Sequence, residues 1–358
     1  MSQVTDDDRA AYGAWYYWQE ATGAQALVAA AVLAPSPHNN QPWTFRIDEG
    51  GIEIWPDESQ RLGTLDPTDR ELHISLGTAV ENLVLTAAAR GSATRVTVVD
   101  DPVHVRIDLE PAPGALAGPG DRPRLYEAIG ERRTNRGPFT EVAVPAGLLA
   151  DFSRQAGPTD GLDVRWLTDW SQRDAFGELL VEAAEAVAAD AQQSADNYRW
   201  YRHGVGDIVR NPEGLTQDAQ GLGAVKRAIA KALPPGSREE VDRFWVKQTK
   251  TVHTATASAY GLVLSTDPDS VEQRVAGGRL LQRMELAATL RGLAFHPMTQ
   301  ITQRIDRDRT LGREPAFGPR IAELVAPSQQ QLLINFRVGY PVRSARRSPR
   351  RPVASFLR

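Results

Sequence analysis

A stretch of helix-forming sequence occurs twice in this chain. Residues Gly77 to Gly91, GTAVENLVLTAAARG, are echoed 201 positions later by Gly278 to Gly292, GRLLQRMELAATLRG. Leu85 answers to Leu286, Ala87 to Ala288 and Arg90-Gly91 to Arg291-Gly292, while Leu83 answers to Met284, a swap that keeps volume. In the first copy Val80, Leu83, Val84, Ala87, Ala88 and Gly91 recur at the spacing of one helix face. The closing glycine suits a C-terminal cap, where positive φ is required. An apolar face must be covered, and a repeated face can be covered by its own copy. The chain is therefore expected to consist of two related halves, residues 1–120 and 121–358, packed through these helices. The competing reading is two unrelated alanine-rich helices.

The rest of the pattern fits that division. Residues 44–56, with FRIDEGGIEIW, alternate as a hairpin turning at Glu49-Gly50-Gly51. Strand-like runs follow the first repeated helix at Arg95–Val99 and Val103–Leu109, and Pro111–Pro123 reads as a linker. In the second half Leu162–Leu167 reads as a strand, and Phe176, Leu179, Leu180, Ala183, Ala184 and Val187 as one helix face. Residues 251–267 and 271–292 read as helices and Gln331–Val338 as a strand. Residues 197–240, aromatic and dotted with glycine, leave the core pattern; they read either as a cover over a site or as a surface insertion. The tail from Arg343 to Arg358 is rich in arginine and proline. The aromatic cluster Tyr12, Trp15, Tyr16, Tyr17 and Trp18 reads as packing.

With no cysteine, thiolate metal sites, iron–sulfur clusters, disulfides and thiol nucleophiles are excluded. A net charge of −4 gives no general attraction to nucleic acid or anionic membranes. No run of about 18 apolar residues or signal-peptide pattern is present, so the cytosol is the expected location. G-x-G-x-x-G, P-loop, H-E-x-x-H and G-x-S-x-G patterns are absent, and the histidines are scattered.

Three stretches carry chemistry. In APSPHNNQPWTFRI, Pro35 and Pro37 stop the helix of Ala26–Leu33. Ser36, His38, Asn39, Asn40 and Gln41 then form a loop whose side chains suit a planar polar ligand, or simply a solvated turn. In ERRTNR, three guanidiniums and the Thr134 hydroxyl suit paired phosphate oxygens, or a solvated basic turn. The tail is the third, with Arg350 and Arg351, and taken by itself it reads as a disordered basic end.

The first of these resembles the P-S-x-x-N-x-Q-P-W loop of the nitroreductase-like flavoprotein family, at Pro35, Ser36, Asn39, Gln41, Pro42 and Trp43. The second resembles that family's R-R-S-x-R segment, at Arg132, Arg133, Thr134 in place of serine, and Arg136. Pro349-Arg350-Arg351-Pro352 resembles its phosphate-contacting C-terminal arm, with Arg350 ahead of Arg351. His296, Pro297, Met298, Thr299 and Gln300 fall by position where the family places the loop facing the flavin's central ring. This chain departs from the usual glycine-containing form there, and a buried, satisfied histidine is the alternative. The resemblance implies a nitroreductase-like α+β fold, internally duplicated as a single-chain pseudo-dimer, with antiparallel-rich sheets flanked by helices. It implies FMN as cofactor, NAD(P)H as electron donor and a small-molecule acceptor. Pro35, Ser36, His38, Asn39, Gln41, the arginine segment, residues 296–300, Arg350 and Arg351 are its implied cofactor-binding set. No metal or side-chain acid or base is marked. Each motif occurs once, so the fused pair is expected to keep one composite site, as in the Acg-type branch that the chain most resembles. A flavin store closed by residues 197–240 is the alternative to an enzyme, and the fused unit is expected as a monomer or a further homodimer.

Overall fold

Alternating residues either side of a glycine turn make the first hairpin. Asp48 Oδ1 accepts from the backbone N–H of Gly50 and Gly51 and closes the turn between β1 (Trp43–Ile47) and β2 (Gly51–Pro56), which pair antiparallel. This computed structural model describes residues 6–112, 122–155, 161–326 and 328–358. Before the hairpin come α1 (Asp6–Tyr17) and α2 (Gly23–Ala31); after it come α3 (Arg70–Ala89), β3 (Ser92–Asp100) and β4 (Val103–Pro111). Most of the expected linker lies outside the described residues.

The second half opens with α4 (Arg122–Ala128), α5 (Ala146–Gln155) and β5 (Leu162–Leu167). Then follow α6 (Trp170–Ala189), α7 (Ala191–Tyr198), α8 (Val205–Arg210), α9 (Ala224–Ala232) and α10 (Arg238–Gln248). The core resumes with β6 (Ala259–Ser265), α11 (Val271–Leu290), β7 (Ala294–Pro297), α12 (Gln300–Thr310), α13 (Gly318–Val325) and β8 (Gln331–Gly339).

Two antiparallel four-stranded sheets result, ordered β1-β2-β4-β3 and β5-β6-β8-β7. Each therefore runs first, second, fourth, third, and in each the repeated helix leads from the second strand to the third. The helices α3 and α11 cross where both carry glycine. A Cβ on Gly77 would sit 2.1 Å from the Val275 carbonyl oxygen, and one on Gly278 would sit 2.0 Å from that of Ile74. Ile74 and Val275 are themselves separated by the repeat offset, so the contact is reciprocal. Beyond it, the Gln282 amide donates to Asn82 Oδ1 at 2.6 Å, and at the mirrored position Glu81 pairs with Arg283 at 3.6 Å.

One expectation fails. Residues 251–267 form a π-helical turn, Thr249–Thr254, and then strand β6 rather than a helix. Every residue of β6 is buried, so the run shows no alternation from which its strand character could be read. The aromatic cluster splits: Trp15 and Trp18 are buried, while Tyr16 and Tyr17 are exposed.

The tail is ordered and crosses back onto the first half. The backbone N–H of Arg350 donates to Ala11 O, and the Trp15 indole donates to Ser348 O. Leu357 bridges Phe45 in parallel, and Phe356 meets Phe45 edge-on at 6.5 Å. The helix α3 is long and apolar enough to cross a membrane, but 83% of that stretch is buried in the core between the sheets.

Candidate functional site

Two connected cavities lie on the seam between the halves. The larger, about 1100 Å³ with its mouth included, is walled by one face of α3: Glu71, Ile74, Ser75 and Thr78. Pro35 to His38 close one side, Thr134 and Arg136 another, and His296 to Gln300 with Gln303 a third. The smaller, about 340 Å³, shares Pro35, Ser36, Thr134 and Arg136 with it and adds Trp15, Asn39, Arg132, Arg133, Arg346, Ser348 and Arg350. Of the candidate residues taken from sequence, all but Asn40, Gln41 and Arg351 line one cavity or the other.

The amide loop does not act as its composition suggests. Its amide side chains hold protein. Asn39 Nδ2 donates to Pro349 O at 3.0 Å, and Asn39 Oδ1 accepts from Arg350. Asn40 donates to Gln60 O. Gln41 donates to Asn39 O and Pro212 O and accepts from the Arg351 N–H at 3.0 Å. The loop thus fastens the C-terminal tail and the 197–248 region. What it turns to the cavity is Ser36 and His38. His38, Asn39 and Gln41 all take positive φ, three of only four such non-glycine residues among those described. Such backbone is costly unless the surroundings enforce it.

The arginines divide the same way. Arg132 is buried and pairs with Glu285 Oε1 at 3.0 Å, also donating to Leu33 O at 3.3 Å. Arg350 lines the small cavity, yet its five N–H groups go to Val32, Leu33, Ala34 and Pro349 carbonyls and to Asn39. It caps the C-terminal end of α2 and brings charge without a free donor. Arg351 faces away, pairs with Asp57 at 3.2 Å and lies over Phe356. Arg136 has no carboxylate partner among the described residues; one Nη donates to Ala219 O at 3.3 Å. Burial pushes the Arg136 guanidinium down, with Arg132 adding repulsion, and burial pushes Arg350 down much further, again with Arg132 opposing its charge.

Neutral imidazoles ring the larger cavity. Burial pushes His38 down to about 4, and its Nε2 meets Asn197 Oδ1 at 2.8 Å, so Nδ1 is left unprotonated and without a partner. His296 is held well below its usual range by burial; Arg337 Nε donates to its Nδ1 at 3.1 Å, which places the proton on Nε2. Arg337 is itself fully buried against Phe139, and burial lowers it to about 9. His253 crosses His296 edge-on at 4.9 Å and also stays neutral through burial. Asn197, Tyr201, Leu215 and Gln220 from the expected cover, with Trp245 and Gln248 of α10, complete the wall.

The sequence reading missed Glu71, Ser75, Thr78, His253 and Gln303. A signal existed in α3, where polar residues 71, 75 and 78 recur at helical spacing ahead of the apolar stripe.

FMN fits what is present. The described residues lining the small cavity include five arginines, a threonine and two serines, and no carboxylate. That donor set is complementary to a phosphate monoester. The larger cavity combines apolar faces, Leu65, Ile74, Leu281, Met298 and Ile334, with a few fixed polar atoms, as a planar heterocycle requires. No group of described residues could hold a metal ion.

No family model matches the chain. It is 32% identical over 284 residues to acg of Mycobacterium tuberculosis, a protein named as a candidate NAD(P)H nitroreductase, covering 78% of this chain and 80% of that one. A second protein of that bacterium named as a candidate NAD(P)H nitroreductase, Rv3131, is 27% identical over 309 residues, 84% of this chain and 83% of that one. Superposed on the solved FMN-dependent nitroreductase NfnB of Mycobacterium smegmatis in complex with NADPH, 66% of the chain meets 97% of the other at 17% identity and a TM-score of 0.40, too low a score to argue from.

Proposed function

The chain belongs to the nitroreductase-like superfamily, in its Acg-type branch, and from that premise we propose that it is an FMN-binding NAD(P)H oxidoreductase with one composite site per polypeptide. The observation that carries this is the arginine-walled cavity opening into a larger, mostly apolar one at the seam of the halves.

Thr134 and Arg136 line both cavities and would hold the phosphate, with Arg133 and Arg346 as further donors from the smaller one. Arg132 and Arg350 add fixed positive charge while tying the site to α11 and α2. His296, with its proton held on Nε2, would offer a donor to the ring, and Ile74, Leu281, Met298 and Ile334 would exclude water around it. When bound, FMN supplies the two-electron chemistry, receiving hydride from NAD(P)H and passing electrons to a small-molecule acceptor.

A second reading has its own support. Residues of the 197–248 region bond across the site: His38 to Asn197, Gln41 to Pro212, and Arg136 to Ala219. A cover held this way favours retention of flavin over access for a nicotinamide. Two measurements decide between the readings. Purified protein is expected to be yellow, and Arg136→Ala is expected to weaken FMN binding about 10–100-fold, the loss of a charged hydrogen bond. Unchanged FMN affinity overturns the phosphate assignment. Anaerobic NADPH is expected to bleach the bound flavin, whereas persistent colour establishes the store.

A further inference from the structure

The first turn of α3 carries a carboxyl that the proposed chemistry has not used. Glu71 is 3% exposed and lines the larger cavity. Its Oε1 accepts from Gln303 Nε2 at 2.8 Å, and Gln303 is itself steadied by a second bond to Thr299 Oγ1 at 3.1 Å. Its Oε2 is buried with no hydrogen-bond partner. A buried carboxylate oxygen left bare is costly, but a protonated one is a donor waiting for an acceptor.

We propose that Glu71 is the proton donor of this site: Gln303 fixes one carboxyl oxygen, and the unpartnered Oε2 hands its proton to the acceptor molecule as that molecule is reduced. This rests on the oxidoreductase reading above. For a neutral acceptor with a carbonyl oxygen, such as a quinone, the balance is complete. The hydride supplied through the cofactor brings two electrons and the hydrogen of one product O–H, while the Oε2–H bond breaks and its proton forms the second O–H on the other substrate oxygen. The product is the hydroquinone, and the carboxylate left behind regains its proton from water as product leaves.

The surroundings favour the protonated form. Burial, helped by the nearby Asp66 and Asp306 carboxyls and opposed by the Gln303 bond, raises Glu71 to about 8. Asp66 caps α3 through the N–H of Glu71 and Leu72, and the Asp306 carboxylate is held by Arg70. Across the cavity the titratable groups are His38, His253 and His296, all kept neutral by burial, with Tyr201 and Arg136. A site with a neutral donor here accepts an uncharged oxygen acceptor more readily than an anion.

The test uses FMN-loaded protein, with flavin uptake measured first, reduced chemically and mixed anaerobically with 1,4-benzoquinone. Reoxidation of the wild type is expected to slow tenfold per pH unit above about 8. Glu71→Gln, which keeps the Gln303 bond, is expected to bind FMN as before and to reoxidise ~10²-fold more slowly, or slower still, with no pH dependence in that range. Glu71→Asp is expected to restore part of the rate and the pH profile. Infrared difference spectra of the wild type near neutral pH should show a protonated-carboxyl stretch that Glu71→Gln lacks. A Glu71→Gln protein with wild-type rate and profile, or a wild type without that stretch, overturns the proposal. Failure to take up FMN instead overturns the functional reading, and the step with it.

Discussion

The two sheets share a strand order and differ in what lies on them. The first, β1 to β4, buries one face: Phe45, Ile52, Ile54, Val105 and Ile107 pack on α2 and α3, while β3 alternates between partly buried and exposed residues. The second is covered twice. Val263, Ile334, Phe336 and Val338 join the core around α11, and Tyr260, Leu262, Leu264 and Leu332 join another formed with α6, α12 and α13. One strand order thus serves a one-sided and a two-sided layer, and residues of both parts of the chain line the cavities. Covering the second sheet on both faces frees its helix ends and loops to serve the site, whereas the first half contributes a helix face and a fastening loop.

The reciprocal glycine contact should dominate if the halves stand or fall together. Gly77→Val or Gly278→Val, each against a backbone carbonyl, is expected to abolish soluble folded protein, a loss above about 4 kcal/mol. Gly147→Ala in α5, with open space around its Cβ position, should be harmless by the same circular-dichroism melt. Tolerance of both valines would show that the seam does not join the halves.

Next in size, Arg132→Ala leaves Glu285 buried without its partner and should cost about 3–5 kcal/mol in chemical denaturation. Arg132→Met with Glu285→Leu should recover most of that, since no charge is then stranded.

The third effect depends on pH. A carboxyl raised in the folded state contributes stability that is full below its unfolded value of 4.5 and lost as pH rises toward about 8. Glu71→Gln should therefore gain on the wild type across that window, on the order of 3 kcal/mol by pH 7, and the difference should vanish near pH 4.5. His38 has the opposite sign: held down to about 4, it contributes stability above 6.5 that is lost as pH falls between those values. Urea midpoints across pH check both.

Smaller again, Arg351→Ala should loosen the tail on the first sheet by about 1–2 kcal/mol, visible as faster proteolysis there. Smallest is Arg95→Ala on the open face of the first sheet. Its pair with Glu110, 3.7 Å apart and 73% and 69% exposed, should be worth less than about 0.5 kcal/mol in the same melt.

How much of this was legible follows from the type of signal. The repeated helix was readable from the spacing of its apolar residues and its closing Arg-Gly, although α3 itself is buried nearly all round. The hairpin was readable from its alternation and turn. Strand β6 was not, because burial on both faces erases alternation. At the candidate site, composition picked out loops that the fold brings to the cavities, but not which of their side chains are already engaged. Asn39, Gln41 and Arg351 look like ligand contacts in sequence, and only the fold reveals that each already has a protein partner. Glu71 was passed over for the converse reason: an acid in a helix's first turn is ordinarily solvent-facing, and its spacing with Ser75 and Thr78 marks a polar face without marking that face as buried under α12.

The tie between Asn39 and Pro349 spans 310 positions of sequence. At ~5–20 residues per second of synthesis, roughly 15–60 s separate the two partners' emergence from the ribosome. The loop with its positive φ angles is made early, and its ties to Pro349 and Arg350 form only when the end of the chain arrives. Completing the wall of the smaller cavity therefore waits on the carboxy-terminal strap.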